Sequence, residues 1–216
     1  SACNAIVCDS AAVDRLKLSL HHSVVHNCKG VGVLAEHAVV DMQNCQVTNT
    51  LGDCVAIRGG VAQLMQCTLA QFYPFDANRG VALRFSNCQD DRKLPLYDFR
   101  CINTIVTGYA DDVVMGEADS TVAYTFLFDH CLLRTPKIED EERIKEVIWE
   151  DPEDTIHGGV KNFAKIDTDN LRYDFRLDSL SLAIGAADKT HFLEYDRIGV
   201  RRDDEPDLGC YEYVIP

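Results

Sequence analysis

No apolar run in this chain approaches the roughly 18 residues that a membrane-spanning helix requires. The first ten residues, SACNAIVCDS, have neither the basic start nor the long apolar core of a signal peptide. Residues 4–7, Asn-Ala-Ile-Val, already have the composition of a β-strand. We therefore predict no membrane-spanning segment. We expect Ser1 to follow a cut in a longer exported chain, with further coils or domains on its N-terminal side.

Basic residues are also scarce. The 216 residues include 21 Lys and Arg against 35 Asp and Glu, which is a formal net charge of −14. A nucleic-acid-binding protein presents a basic face, and none is apparent here. The chain as a whole also repels polyanions, unless a local basic groove or Ca²⁺ intervenes. The composition therefore predicts an acidic exterior and no nucleic-acid partner.

The ten cysteines lack the paired CxxC or histidine spacing of a metal site. Disulfide frameworks are usual in much shorter chains, so one or two disulfides are an alternative interpretation here. Cysteine is also among the most buried residue types, where it acts as a small apolar filler. Cys45 and Cys67 favour the filler interpretation because they occupy equivalent positions in a repeat. We expect neither a metal nor a cofactor.

A repeat between residues 38 and 71 dominates what the sequence does contain. The segment 44–48, NCQVT, recurs as 66–70, QCTLA, at an offset of 22 residues. Polar turns and further short apolar runs follow each copy. A period in the low twenties, built from short strands and turns, indicates a solenoid.

Two solenoid folds have such a period. A leucine-rich repeat needs leucines at fixed offsets and usually a helical segment in each unit. Here the inward positions hold Cys, Val, Ala, Ile and Thr, and each unit has room only for about three short strands. We therefore predict an all-β fold, a right-handed parallel β-helix of about five coils. Small and β-branched core side chains would stack in ladders.

Residues 1–135 are predicted to form the coils of this solenoid. The register places Thr104 in the position of Cys45. It also places His22 in that position, which predicts a buried, hydrogen-bonded core histidine.

Residues 136–160 form an acidic excursion from the repeat. Ile144, Val147 and Ile148 have helical spacing, which predicts a short amphipathic helix that ends before Pro152. The many carboxylates of this stretch are interpreted as a solvated face.

Residues 161–216 are expected to complete the last coil and cap it within the same domain. An uncovered solenoid end would expose strand edges to other chains. The side chains expected to fold onto the last coil are Phe175, Leu177, Ile184, Leu208 and Tyr211.

An insertion at residues 71–80, QFYPFDANRG, is the candidate ligand site. Aromatic rings stack on pyranose faces, while sugar hydroxyls need polar partners. The candidate contacts are Phe72, Tyr73, Phe75, Asp76 and Arg79. The alternative interpretation is a loop that folds its own rings onto the side of the solenoid, although the three rings cannot all enter its narrow interior.

Catalytic residues are not expected in this segment. Glycoside hydrolysis needs two carboxylates on either side of the bond that breaks. The outward positions of the repeat hold neutral side chains, Gln46, Thr48, Gln66, Thr68 and Ala70. The adjacent pair Asp111 and Asp112 lies in a turn and is interpreted as solvated charge.

The last third of the chain contains a series of motifs in a distinctive order. Residues 173–177 read YDFRL, residues 181–185 read SLAIG, and residues 197–213 read RIGVRRDDEPDLGCYEY. This resembles the "DFRL…SPAI…PDIGAYEY" ending of right-handed parallel β-helix proteins in the pectin-lyase-like superfamily, surface or secreted proteins of the Bacteroidetes type. Leu182 stands in place of the usual Pro, and Cys210 in place of the usual Ala.

The resemblance implies the fold and a secreted, periplasmic or cell-surface location, whereas activities vary within the superfamily. We expect a non-catalytic exported module that associates with polysaccharide. One alternative is a polysaccharide lyase or glycoside hydrolase with catalytic residues partly outside this segment. Another is a structural stalk.

Overall fold

The structure, a computed structural model, describes residues 3–10 and 12–215, and this part of the chain folds as a parallel β-helix. In chain order the strands are β1 (Ile6–Asp9), β2 (Leu18–His21), β3 (Val24–His26), β4 (Val33–Gln43), β5 (Gln46–Thr48), β6 (Val55–Met65), β7 (Thr68–Gln71), β8 (Leu83–Ser86), β9 (Cys88–Gln89), β10 (Arg92–Lys93), β11 (Leu96–Ile102), β12 (Ile105–Gly108), β13 (Val114–Glu117), β14 (Tyr124–Asp129), β15 (Leu132–Leu133), β16 (Ile144–Lys145), β17 (Ile148–Trp149), β18 (Phe163–Asp167) and β19 (Arg172–Leu177).

Two parallel sheets run along the solenoid. The first sheet follows the order β1, β4, β6, β11, β14 and β16, with β2 also paired to β4 and with β8 and β13 continuing from β6. The second sheet follows the order β3, β5, β7, β12, β15 and β17. Each of these strands pairs with the equivalent strand of the next coil. In the described part of the chain, the second sheet therefore receives strands from six coils, where the sequence predicts about five.

The 22-residue repeat sets the register of the central coils. Val47 pairs with Leu69 in the second sheet, so Cys45 and Cys67, two residues earlier, also lie in equivalent places. All four side chains are buried. The predicted core register is confirmed, and cysteine does serve as a small interior side chain. The buried cysteines are Cys45, Cys54, Cys67, Cys101, Cys131 and Cys210.

A single residue in the left-handed region joins the first sheet to the second in successive coils. The φ angle is 49° at both Asn44 and Asn103, and asparagine tolerates this region better than most residues. His22, with φ of 50°, occupies the same place in the first coil and is exposed. The prediction of a buried His22 is therefore wrong by one position, because Ser23 is the residue that aligns with Cys45.

The acidic excursion at residues 136–160 does not contain the predicted amphipathic helix. Instead, β16 pairs with β14 and β17 pairs with β15, which extends the solenoid by one coil. Ile144 and Ile148 are four residues apart because a turn residue, Glu146 with φ of 46°, separates two short strands. The two isoleucines thus belong to different sheets, and pairing with the preceding coil overrides the helical spacing.

One helical segment, the 3₁₀ helix Gly159–Asn162, occurs in the described residues. No helix in this part of the chain has both the length and the apolar character needed to cross a membrane.

The C-terminal part of the chain covers the side of the solenoid. After the antiparallel hairpin of β18 and β19, residues 178–215 cross the outward face of the second sheet. The Cys210 amide donates to Thr68 Oγ1 at 3.0 Å, and the Tyr211 hydroxyl donates to Gln46 Oε1 at 2.8 Å. The expectation that this segment caps the last coil is therefore wrong in its placement.

Burial of the C-terminal side chains has a physical cause in the second sheet. Its outward face carries Ala70, Ile105 and Leu132, which would otherwise be apolar surface in water. The expected residues Phe175, Leu177, Leu208 and Tyr211 are buried, whereas Ile184 is 37% exposed.

Candidate functional site

The insertion at residues 71–80 is held in shape by its own polar groups. The Asn78 amide donates to Asp76 Oδ1 at 2.8 Å, and Arg79 Nη1 donates to the Asp76 carbonyl at 3.1 Å. The Gly80 amide then donates to the Leu51 carbonyl at 2.9 Å, which returns the chain to the solenoid. Asp76 thus has a structural role in the loop.

Phe72 is a core residue of this loop. It is fully buried, and its ring centroid lies 5.0 Å from that of Tyr109, 6.0 Å from Phe163 and 6.3 Å from Phe175. The backbone amide of Phe72 also donates to Asn49 Oδ1 at 3.2 Å. Phe72 therefore anchors the loop to the C-terminal hairpin, and a ligand cannot reach its ring without displacing that packing.

Tyr73 and Phe75 remain at the surface. Phe75 is 68% exposed, and the two rings meet edge to face with centroids 5.4 Å apart. The expectation that at least one of the three loop rings lies on the surface is confirmed.

Tyr109 contacts the same loop through Phe72 and Arg79, although the sequence did not identify it. It is 38% exposed, and the guanidinium carbon of Arg79 lies 5.3 Å from its ring centroid. Arg79 forms no ion pair within the described residues, and its guanidinium hydrogen-bonds the Asp76 carbonyl. We call Tyr73, Phe75, Arg79 and Tyr109 the aromatic surface.

The only sequence signal for Tyr109 was its place in a turn after a coil strand. Gly108 precedes it, and a Cβ at Gly108 would lie 2.8 Å from the Gln71 carbonyl oxygen. This close approach brings the turn against the base of the 71–80 insertion, a proximity that sequence separation concealed.

The outward positions considered for catalysis are largely covered. Gln46, Thr48, Thr68 and Ala70 are all buried. The C-terminal segment lies over this part of the second sheet and uses Gln46 and Thr68 as hydrogen-bond acceptors. Thr68 and Ala70 therefore lie beneath the C-terminal segment, whereas Gln46 and Thr48 border a cleft beside it.

Charged side chains at coil spacing lie on the outward face of the first sheet, where sequence reasoning did not search. Register partners across successive coils are Asp9, Glu36, Arg58 and Glu117, with neutral Ser86 between the last two; we call the four charged residues the charged ladder. The offset of 22 residues between Glu36 and Arg58 was a signal that the same repeat could have provided.

Ion pairs already occupy most of this ladder. Arg58 Nη1 donates a hydrogen bond to Glu36 Oε2 at 3.2 Å, and Glu36 also forms an ion pair with Arg92. Burial alone would raise the pKa of Glu36, but the hydrogen bonds and charges of the two arginines lower it overall. Arg84 forms two ion pairs, one with Asp53 at 2.7 Å and one with Glu117 at 2.5 Å. Glu36 and Glu117 are thus paired with arginines, which suits a structural network better than proton transfer.

The Asp111 and Asp112 pair is part of the turn that carries Tyr109. Asp111 lies 3.5 Å from Arg134 with its side chain 79% exposed. Asp112 Oδ1 accepts the Thr135 hydroxyl at 2.7 Å. Within the described residues, no group of three or more His, Cys, Asp or Glu side chains is arranged to hold a metal ion.

Comparison with models of known protein families finds no match. Comparison with curated proteins likewise finds no significant match. The parallel β-solenoid architecture therefore rests on the pairing of the strands.

Proposed function

We propose that this chain is a non-catalytic, exported or cell-surface β-helix module that associates with glycans. The observation that carries this proposal is the aromatic surface, where half-buried Tyr73 and exposed Phe75 lie in the same loop as an arginine stacked on Tyr109. Loops on a rigid scaffold commonly carry binding function.

The chemistry of the aromatic surface suits a sugar. Aromatic rings offer flat apolar faces for the axial C–H groups of a pyranose, and the Tyr hydroxyls can exchange hydrogen bonds with sugar hydroxyls. Arg79 supplies donors beside the rings. The solenoid beneath gives a stiff support, because the loop is tied to it through buried Phe72.

We further propose that the chain is related to the pectin-lyase-like surface or secreted proteins of the Bacteroidetes type. The support is the order of the C-terminal motifs, 173–177, 181–185 and 197–213, together with the β-helix architecture. A secreted, periplasmic or outer-membrane location follows from this relationship.

A glycan-array screen of the full chain, followed by titration with the best ligand, tests the glycan proposal. Replacing Tyr73 and Phe75 together by Ala should weaken binding by about 1–3 kcal/mol, which is roughly what burying such rings contributes. Tyr97→Ala is the matched control, because Tyr97 is 50% exposed on β11 and lies outside the aromatic surface. If the double variant binds as tightly as the parent, the site lies elsewhere. If the screen finds no glycan, the result favours the alternative of a structural stalk.

The alternative of a lyase or hydrolase has one observation in its favour, the charged ladder. A glycoside hydrolase needs a carboxyl that stays protonated near its working pH. The pKa of Glu36 is instead lowered, so the ladder by itself does not supply that acid. Product formation from uronic-acid polymers in an activity assay would favour this alternative over a binding module.

A further inference from the structure

A cleft of about 370 Å³ opens between the first coils and the C-terminal hairpin. One wall is the outward side of β3 and β5, and the other is formed by β19 and the closing segment. Small-molecule sites typically start at about 300 Å³, so this cleft is large enough for a ligand of about one sugar unit. It is separate from the aromatic surface, since none of that surface's four residues lines it.

Arg197 is held in a fixed position at this cleft. Its guanidinium carbon lies 4.9 Å from the ring centroid of Tyr211, and its Nε donates to the Tyr211 hydroxyl at 2.8 Å. That hydroxyl in turn donates to Gln46 Oε1 at 2.8 Å. The two terminal amino groups of Arg197 have no hydrogen bond or ion pair to any described residue. They form a preorganised fork of the kind that recognises carboxylate and phosphate.

The charge around the cleft favours an anion, in contrast to the net charge of −14 for the whole chain. Asp174 is the carboxylate that lines the cleft, and Arg176 Nε hydrogen-bonds both its oxygens at 3.0 and 3.1 Å. The hydrogen bond from Arg176 keeps the pKa of Asp174 low, so this carboxylate is ionised and paired. Arg197 is therefore left as the unpaired charge of the lining.

The remaining walls provide donors and aromatic faces. Tyr173 and Tyr211 contribute aromatic rings to the lining. His26 and Asn27 line the opposite side and are exposed. Such a lining suits a molecule with several hydroxyls as well as an oxyanion.

We propose that this cleft binds a compact hydroxylated anion, about the size of one sugar, whose carboxylate or phosphate group pairs with the terminal amino groups of Arg197. This site goes beyond the glycan association of the aromatic surface and does not depend on it. The ligand's hydroxyls lie against the Tyr173 and Tyr211 side of the cleft, with His26 and Asn27 at its rim.

Two matched pairs of probes test the ligand chemistry on the full chain. The first pair is D-gluconate, which carries a carboxylate, and sorbitol, which carries a primary alcohol in its place. The second pair is glucose 6-phosphate and glucose, which lacks the phosphate. Calorimetric titration should find binding of at least one anion, about tenfold or more tighter than its neutral counterpart, because charge-assisted hydrogen bonds are roughly twice as strong as neutral ones. The anion that binds identifies the source of the oxyanion. Binding should weaken as salt is raised.

Substitutions then locate the site. Arg197→Gln should abolish the preference for the anion, whereas Arg201→Gln should leave it unchanged because Arg201 is 75% exposed and lies outside the cleft. Arg197 also supports Tyr211, so NMR shift mapping on the parent protein provides a second measurement. Its largest changes should fall at His26, Asn27 and Tyr211.

The proposal is overturned if neither anion binds or if each neutral partner binds as tightly as its anion. It is also overturned if the shifts map away from the cleft, or if a folded Arg197→Gln variant retains the preference. None of these outcomes bears on the Tyr73 and Phe75 double variant, so the two sites can fail separately.

Discussion

The carboxyl of Asp207 holds two turns of the closing segment together. Its Oδ1 accepts a hydrogen bond from the Gly185 amide at 2.7 Å, and its Oδ2 accepts one from the Tyr213 amide at 2.5 Å. Burial raises the pKa of Asp207 to about 6, although these two hydrogen bonds oppose the change. One side chain thus couples the position of the C-terminal segment to protonation.

Replacing Asp207 by Asn should remove this coupling. The folded protein retains a proton on Asp207 that the unfolded chain loses near pH 4, so the contribution to stability is present below about pH 4 and lost as pH rises through about 6. Between pH 4 and 7, the free energy of unfolding of the parent should therefore fall relative to that of Asp207→Asn, by at most about 3 kcal/mol. Urea unfolding at several pH values measures the difference.

Asp204→Asn is the control for this measurement, because Asp204 is an exposed neighbour. If the difference between parent and Asp207→Asn stays constant from pH 4 to 7, Asp207 does not titrate in this range.

At the scale of elements, the solenoid is a stack of equivalent short strands whose register is set by the repeat. Strands β5 and β7 place Val47 against Leu69, and the thiols of Cys45 and Cys67 lie at the start of these strands. Hydrogen bonding with Cys67 lowers the pKa of Cys45 to about 7, whereas burial raises the pKa of Cys67. Both thiols are buried, so access rather than ionisation should limit their reactivity.

Thiol labelling followed by residue-level mass spectrometry checks this register. Cys45 and Cys67 should label slowly in the native protein and rapidly after unfolding. Cys28, which is partly exposed, should label faster than both and serves as the internal control. Rapid native labelling of Cys45 or Cys67 would show that the strands are stacked differently.

At the scale of the whole molecule, the C-terminal quarter acts as a lateral cover. The left-handed turn residues act as its anchor points: Asn44 Nδ2 donates to the Tyr195 carbonyl at 2.8 Å, and Asn103 Nδ2 donates to the His191 carbonyl at 2.8 Å. Buried Arg202 adds a bond to Asn44 Oδ1 at 3.1 Å. The open edge of the last coil is managed differently, by the short strands β16 and β17, each of two residues.

Deleting residues 173–216 should cause aggregation, because it uncovers Phe72 of the loop and the apolar outward face of the second sheet, including Ile105. Size-exclusion chromatography with light scattering would detect the aggregates. Deletion from residue 214 onward is the matched control, since Val214 and Ile215 are exposed and should be dispensable. A soluble, monomeric 1–172 fragment would show that this cover is not needed for solubility.

Some features of the candidate site could be predicted from local sequence, and others depend on tertiary packing. The composition of residues 71–80 was enough to predict that a loop ring would be exposed, as Phe75 is. Its partner Tyr109 and the burial of Phe72 depend on a turn and a hairpin that are remote in sequence. In the sequence, Arg197 was recognisable only as part of a family motif. Its position beside β3 and β5 depends on a contact that does not repeat from coil to coil, so the repeat could not predict it.

The repeat by itself determined the all-β solenoid, the pairing of Val47 with Leu69 and the burial of Cys45 and Cys67. Such features repeat from coil to coil, so each copy in the sequence supports the same inference. Only the tertiary structure decided that Ile148 belongs to a strand, because pairing with the preceding coil outweighs a weak helical preference. It alone also decided that the C-terminal segment lies along the side of the solenoid. That docking buries apolar surface and gives the polar turn residues hydrogen-bond partners. Neither effect produces a repeating pattern in the sequence.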